Sequence, residues 1–357
     1  MNVHRRIQHL CRLALLSLGA ALLVQPVTPA LSQATRLSEI AAYQGPDRQK
    51  RLVEGAKKEG ELMFYSSIPV EDIAVLTATF DKKYGVKTKV WRADSESVLQ
   101  RVVNEAKARR YDVDVVASSS SGIEPLHRER LLNEVKSPYL DDLIPQSIAP
   151  HREWASVYLN TIVQAYNTNL VKKEALPKTY RDLLRPEWKG KLGIEAEDFD
   201  WFAQVVMGLG EAQGLKLFRD MVATNGLSVR KGHTLLANLV AAGEVPLALT
   251  VYGFSAEQLR QKGAPFDWFI IPPLIARPTA AGVAKNAPHP HAAVLFYDFL
   301  LGDAQPILAA RNFVSPSRKV DSPFTKGPLE LIESAEMIEN AQKWQDLYNK
   351  VIVLPTR

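Results

Sequence analysis

Apolar and polar positions along residues 59–320 follow two alternating periods. ELMFYSS (61–67) is a short β-rich run. IPVEDIAVLTATFDKKYG (68–85) follows it with apolar residues at Ile73, Leu76 and Phe80, the spacing of one helix face. Ser67 is placed to cap that helix, Pro69 suits its first turn, and Gly85 suits the position just past its end. VKTKVWRA (86–93) predicts a strand, and SESVLQRVVNEAKARR (95–110) a helix with Ser95 as its cap. YDVDVVASSSS (111–121) predicts a strand running into a serine cluster, and GIEPLHRERLL (122–132) another helix. Alternating strands and helices imply a parallel sheet with right-handed crossovers. In such sheets ligands bind beyond the carboxyl ends of the strands. That rule sets Ser66 and Ser67, Arg92 to Asp94, and Ser118 to Ser121 along one rim.

A second set of elements begins near Trp154. VYLNTIVQAYNTNLV (157–171) predicts a strand and turn, and TYRDLLRPEW (179–188) a short helix stopped by Pro186. A strand through KGKLGIEAE (189–197) leads to helices over 200–214 and 215–226. LLANLVAAGEV (235–245) predicts a helix and PLALTVYG (246–253) a strand. AEQLRQKGAPFDWFIIPP (256–273) predicts a helix and the last strand, and residues 288–312 a pair of helices. No internal repeat or long low-complexity linker interrupts this order.

The first 34 residues stand apart. MNVHRRIQHLCR carries Arg5, Arg6 and Arg12 without an acid, and the apolar run LALLSLGAALLV (13–24) follows. Ser32 and Ala34 then occupy −3 and −1 of a cut after Ala34. This is the order of a secretory signal peptide, and its apolar run is too short to span a bilayer. Its removal takes 34 of 357 residues and leaves 323, without the single cysteine. Stability must then come from burial rather than from cross-links. Three of the 44 basic residues leave too, so 41 face 39 acidic residues and most of the apparent basicity is lost. No basic run interleaved with aromatics points to nucleic acid. The expected product is an exported protein, soluble outside the cytoplasm, of about two domains, with residues 35–45 as a loose tail.

Five segments in this order resemble the periplasmic solute-binding proteins of ABC importers, in the branch that includes ferric-iron and thiamine binders. They are ELMFYSS, YDVDVVASSSSGIEPLHRERLL, AYNTNLVKKEALPKTYRDLLRPEWKGKLGIE, AAGEVPLALTVYG and AAVLFYDFLLGDAQPILAARNFVSPSR. The resemblance implies an α/β, two-lobe periplasmic-binding-protein fold of type II. Each lobe is then a mixed sheet flanked by helices, with hinge strands between. Lobe one is expected over 35–156 and 274–318, and lobe two over 157–273 and 319–357. A small-molecule ligand closes the lobes, and an inner-membrane ABC permease reads the closed state. A monomer without cofactor is expected. Ferric binders of the family place two consecutive tyrosines where this chain has Gly253 and Phe254 after Tyr252, so the usual iron site is missing and no metal ligand is assigned.

GIEAEDFDWF (193–202) packs four carboxylates and three aromatic rings into ten positions. Asp198 or Asp200 suits the N-cap of the helix that follows, and Glu195 is placed to pair with Lys189 or Lys191. A remaining acid beside Trp201 offers a ring and a charge to a cation. On the opposite rim Ser66, Ser67, Ser119, Ser120 and Arg92 suit an acid group, and Asp94 suits either the ligand or a helix cap. Tyr252 adds a ring or hydroxyl. The set predicts a small polar ligand, cationic or zwitterionic and organic, with ferric iron at an atypical site as the alternative. A hydrolase ranks below both. The chain has no G-x-S-x-G, no H-E-x-x-H and no cysteine set for zinc.

Overall fold

The computed structural model describes residues 29–321, 328–332, 337 and 339–354. Residues 1–28 of the predicted leader lie outside them. Helix α1 (Pro29–Ala42) runs across the predicted cleavage point after Ala34. The loose tail expected over 35–45 is therefore not seen: Leu37 and Ala41 are fully buried, in a cluster with helix residues Leu295 and Phe299. Helix α2 (Arg48–Glu59) follows, and Arg48 forms a buried ion pair with Asp298 that anchors it.

The first run of elements is β1 (Glu61–Ser66), α3 (Val70–Tyr84), β2 (Lys87–Arg92), α4 (Ser95–Lys107), β3 (Val115–Ser119), α5 (Ser120–Arg128) and the short β4 (Leu132–Asn133). β1 pairs in parallel with both β2 and β3. Gly85 ends α3 at φ 71, and its N–H closes the last turn on Asp81 O. The cap of α3 is Pro69, without a side-chain bond, so Ser67 does not cap it. Asp94, rather than Ser95, caps α4 by accepting from the Ser97 N–H.

Next come β5 (Ala155–Asn167), β6 (Leu192–Glu195), α6 (Phe199–Gly208), α7 (Glu211–Asn225), β7 (Ser228–Arg230), α8 (His233–Ala242), β8 (Leu247–Tyr252), α9 (Gly253–Gln261) and β9 (Phe266–Phe269). The helix predicted over 179–188 is two 3₁₀ turns broken at Pro186. The strand expected to be last is followed by β10 (Leu274–Ala284), then α10 (Pro290–Leu301), α11 (Ala304–Ala310), β11 (Leu329–Leu331) and α12 (Ala341–Tyr348).

One continuous sheet runs β2-β1-β3-β10-β5-β8-β6-β7. β10 and β5 lie antiparallel at its centre. With 13 residues, β5 is about 43 Å long, enough to cross from one half of the molecule to the other. One half buries Phe64, Phe80, Phe296 and Phe299 on one side of its sheet, and Tyr65, Val98 and Trp154 on the other. The other half buries Trp201, Phe202, Phe218 and Tyr348 on one side, and Leu236, Val240 and Phe266 on the other. Ile332, Trp344 and Val351 pack in the same cluster as Trp201. Among the described residues no single helix is long and apolar enough to cross a membrane.

Candidate functional site

The acidic loop between β6 and α6 meets an arginine from the central strand. Arg277 of β10 donates from Nε to Asp200 Oδ2 at 2.7 Å, and from Nη2 to Asp200 Oδ1, gripping that carboxylate with two bonds. Nη2 also reaches Asp198 Oδ1 at 3.2 Å, and Nη1 donates to the Tyr252 hydroxyl at 2.6 Å. Asp198 is 1% exposed and Asp200 7%. Two buried carboxylates therefore share one cation fixed by a planar fork of donors. Asp198 sits at the N-cap position of α6 but makes no side-chain cap bond. Its charge is spent on Arg277, and on His233 Nε2 at 3.3 Å.

Behind this pair lies Glu195. It does not reach a lysine. Its Oε2 accepts from the Glu197 N–H at 2.5 Å and its Oε1 from the Gly232 N–H at 2.8 Å, which ties β6 to the start of α8. Glu195, Asp198 and His233 each offer one ligand-type atom, all within 4.8 Å of one another. Asp198 Oδ2 and His233 Nδ1 are buried with no hydrogen-bond partner among the described residues. The His233 ring lies 3.8 Å from that of Tyr252, centroid to centroid.

Burial alone would raise the Asp198 carboxyl, but His233 and Arg277 outweigh it and hold it down at about 2. Burial pushes the Tyr252 phenol up to about 12 against the pull of Arg277, and Asp198, Asp200 and Glu195 add to the rise. A carboxylate depressed on folding contributes stability above its ordinary pKa and loses it as pH falls through the folded value. The advantage of wild type over Asp198→Asn is thus expected to persist down to about pH 4 and to disappear between about pH 4 and 2. Parallel thermal melts of the two proteins against pH check this. A difference that disappears near neutral pH would contradict the assignment.

The opposite wall is built on serine. Ser119 ends β3 and pairs with Thr279 of β10, two residues along that strand from Arg277. Ser95 Oγ accepts from the Ser119 N–H at 3.4 Å and donates to Ser67 Oγ at 3.2 Å. Ser119 Oγ and Ser121 Oγ are 3.1 Å apart. Ser118 Oγ is buried without a partner among the described residues. A Cβ on Gly122 would fall 2.7 Å from that oxygen, so glycine is what lets the first turn of α5 pack so close. Ser66 Oγ accepts from the Ile68 N–H at 3.1 Å, and Arg92 donates to Ile68 O at 3.4 Å with its side chain exposed.

A sequence profile described as bacterial extracellular solute-binding protein matches residues 113–340, well over half of the chain. The chain belongs to that family. Iron uptake protein A1 of Synechocystis sp. is 26% identical over 327 residues, covering 87% of this chain and 88% of that one. Iron-bound HitA from Pseudomonas aeruginosa superposes with a TM-score of 0.70 at 20% identity, over 82% of this chain and 99% of that one. AfuA from Actinobacillus pleuropneumoniae, with exogenous fructose-6-phosphate bound, does so at 0.69 and 20%, over 83% and 99%. The two-lobe fold of type II periplasmic binding proteins is therefore the fold of this chain. It is a solute-binding component of the kind that serves ABC importers.

In this solute-binding protein the predicted residues separate into groups. Asp198, Asp200 and Tyr252 converge on Arg277. Ser67 and Ser119 meet through Ser95 on the facing rim, with Ser66 and Ser120 buried beneath them. Asp94 is engaged as the cap of α4. Trp201 corrects an expectation: it is fully buried, edge-on to Tyr180 and Phe218, and belongs to the core rather than to the cleft wall. Arg277 and His233 are the additions. The signal for Arg277 was a lone charge in the otherwise apolar and small-residue run LIARPTAAGVA.

Proposed function

We propose that the protein captures ferric iron together with a small oxyanion in the cleft, and delivers it to an ABC permease. An organic amine finds only one open aspartate oxygen, Asp198 Oδ2, because Arg277 holds both oxygens of Asp200 and the other oxygen of Asp198. The observation that carries the iron reading is the convergence of Glu195, Asp198 and His233 within 4.8 Å, against the Tyr252 ring, with one oxygen and one nitrogen buried and without a hydrogen-bond partner among the described residues. Ferric iron is a hard cation that favours anionic oxygen. The names of iron-handling relatives support the same ligand. Tyr252 must lose its proton to ligate, so iron affinity is expected to rise with pH. The serine rim, with the N–H groups of the first turn of α5, suits the oxyanion that completes the coordination.

On this proposal lobe one comprises 35–156 with 274–318, and lobe two comprises 157–273 with 319–357. β5 and β10 act as the hinge, and closure brings the serine rim onto the metal. The protein works in the periplasm as a monomer and releases its cargo unchanged. Titration of the apo-protein with ferric citrate is expected to give a visible tyrosinate-to-iron charge-transfer band. Tyr252→Phe is expected to abolish the band and weaken binding by roughly 100-fold. No band, with thermal stabilisation by a sugar phosphate or amine instead, would overturn the iron assignment.

A further inference from the structure

The strand that crosses between the two halves changes its packing partners over a few residues. Ala155, Val157 and Tyr158 of β5 pack in a core of the first half, whereas Leu159, Ile162 and Val163 pack in those of the second. The chain makes the same change at 313–314. Phe313 belongs to the first core and Val314 to the second, and the Leu159 N–H donates to Val314 O at 2.8 Å. A row of aromatic rings runs past this crossing. Centroid to centroid, His233 lies 3.8 Å from Tyr252, Tyr252 5.7 Å from Phe254, Phe254 4.7 Å from Phe313, and Phe313 4.4 Å from Tyr158. The ring that changes sides is Phe254. It lies in the first turn of α9, whose Ala256 packs in the second half, yet its side chain packs against the core of the first.

We propose that Phe254 and Phe313 form a stop beside the hinge, which fixes the resting angle of the lobes and holds the Tyr252 ring in place for the cargo. The stop rests on β5 and β10 being the hinge, and not on the cargo being iron. Both sides of the contact are anchored. Phe313 follows α11 directly: its N–H donates to Leu308 O at 3.1 Å, and Asn312 takes φ 68 to allow that turn. Arg311 pairs with the buried Asp72 of α3, which ties the end of α11 to the first lobe. On the other side Tyr252 pairs with Ile162 of β5, while Val314 bridges to Leu159. The two ends of the contact therefore attach to β5 three residues apart, where it changes cores. The planes of Phe254 and Phe313 are 28° from parallel. Stacked rings resist separation, which forfeits their contact, and resist closer approach, which overlaps their atoms. Near a hinge a small displacement corresponds to a large rotation of the lobes, so a contact there sets the angle sharply. Tyr252 is held between His233 and Phe254 as well as by Arg277, so a shift of Phe254 is felt at the phenol.

The alternative is that these rings only fill the core. Distances between spin labels at Gln100→Cys and Arg219→Cys, measured by double electron–electron resonance, separate the two. Both positions are exposed, one in each lobe, and the exported chain without its leader has no other cysteine. Without ligand, Phe254→Ala and Phe313→Ala are each expected to broaden the distance distribution of the parent, and Phe254→Tyr, which keeps the ring, to leave it unchanged. The double alanine variant should be no broader than the broader single one, because both remove the same contact. Phe254→Leu, a milder loss of the ring, should also broaden it and serves if the alanine variants do not fold. Phe218→Leu is the control: it trims a fully buried ring within the second lobe, and should lower the melting temperature without changing the distribution. Parent width in folded Phe254→Ala or Phe254→Leu would overturn the stop, and so would equal broadening in Phe218→Leu. Ferric citrate titration adds a second readout. Phe254→Ala is expected to bind about 5–20-fold more weakly with Tyr252 intact, because fewer chains rest at the competent angle. Failure of the parent to bind ferric citrate would count against the iron reading alone, and the ligand-free distances would still decide the stop.

Discussion

Arg277→Ala is expected to destabilise the fold by about 3–5 kcal/mol, because it leaves two buried carboxylates without a cation. Asp198 and Asp200 are each less than a tenth exposed, and Arg277 makes four hydrogen bonds to them and to Tyr252. Arg277→Lys should recover only part of the loss, since an ammonium keeps the charge but not the planar fork that grips Asp200. Adding Asp200→Asn to Arg277→Ala should also recover part, by removing one of the stranded charges. Urea melts of the four proteins check this. Equal stability for Arg277→Ala and wild type would mean that water or His233 neutralises the aspartates without it. The arginine also has a functional consequence. It cancels much of the negative charge of the acidic loop, which is why that loop does not announce a cationic organic ligand.

Trp201→Ala should cost a comparable amount, about 3–5 kcal/mol, through loss of buried area and the cavity left behind. Its ring is fully buried and meets Tyr180 at 5.9 Å and Phe218 at 6.0 Å. Binding by the folded fraction should nevertheless stay within a few-fold of wild type, because the indole does not face the cleft. Denaturant melts together with ferric citrate titration of the folded variant test both halves. A small stability loss with a large affinity loss would return Trp201 to the cleft wall.

Much of the architecture was legible from residue pattern. The alternation of strand and helix, the parallel packing of β1 with β2 and β3, the left-handed glycine at 85, and the serine rim beyond the strand ends all follow from local spacing and turn chemistry. What the pattern hid is equally specific. β10 carries Arg277 and Pro278 within a run of alanine and glycine, so local propensity argued against a strand. Tertiary pairing with β3 and β5 overrides that propensity at the centre of the sheet.

The same separation explains the sites. Sequence alone determined which chemistry the loops could offer: acids over 195–200, serines over 118–121, a tyrosine at the end of β8. Only the tertiary structure decided which of those groups is already satisfied. Asp200 meets an arginine 77 residues away, and Phe254 stacks on Phe313, which follows α11. Such partners are brought together by sheet register and helix packing. No local spacing encodes them, and a buried charge has its meaning set by the partner that neutralises it.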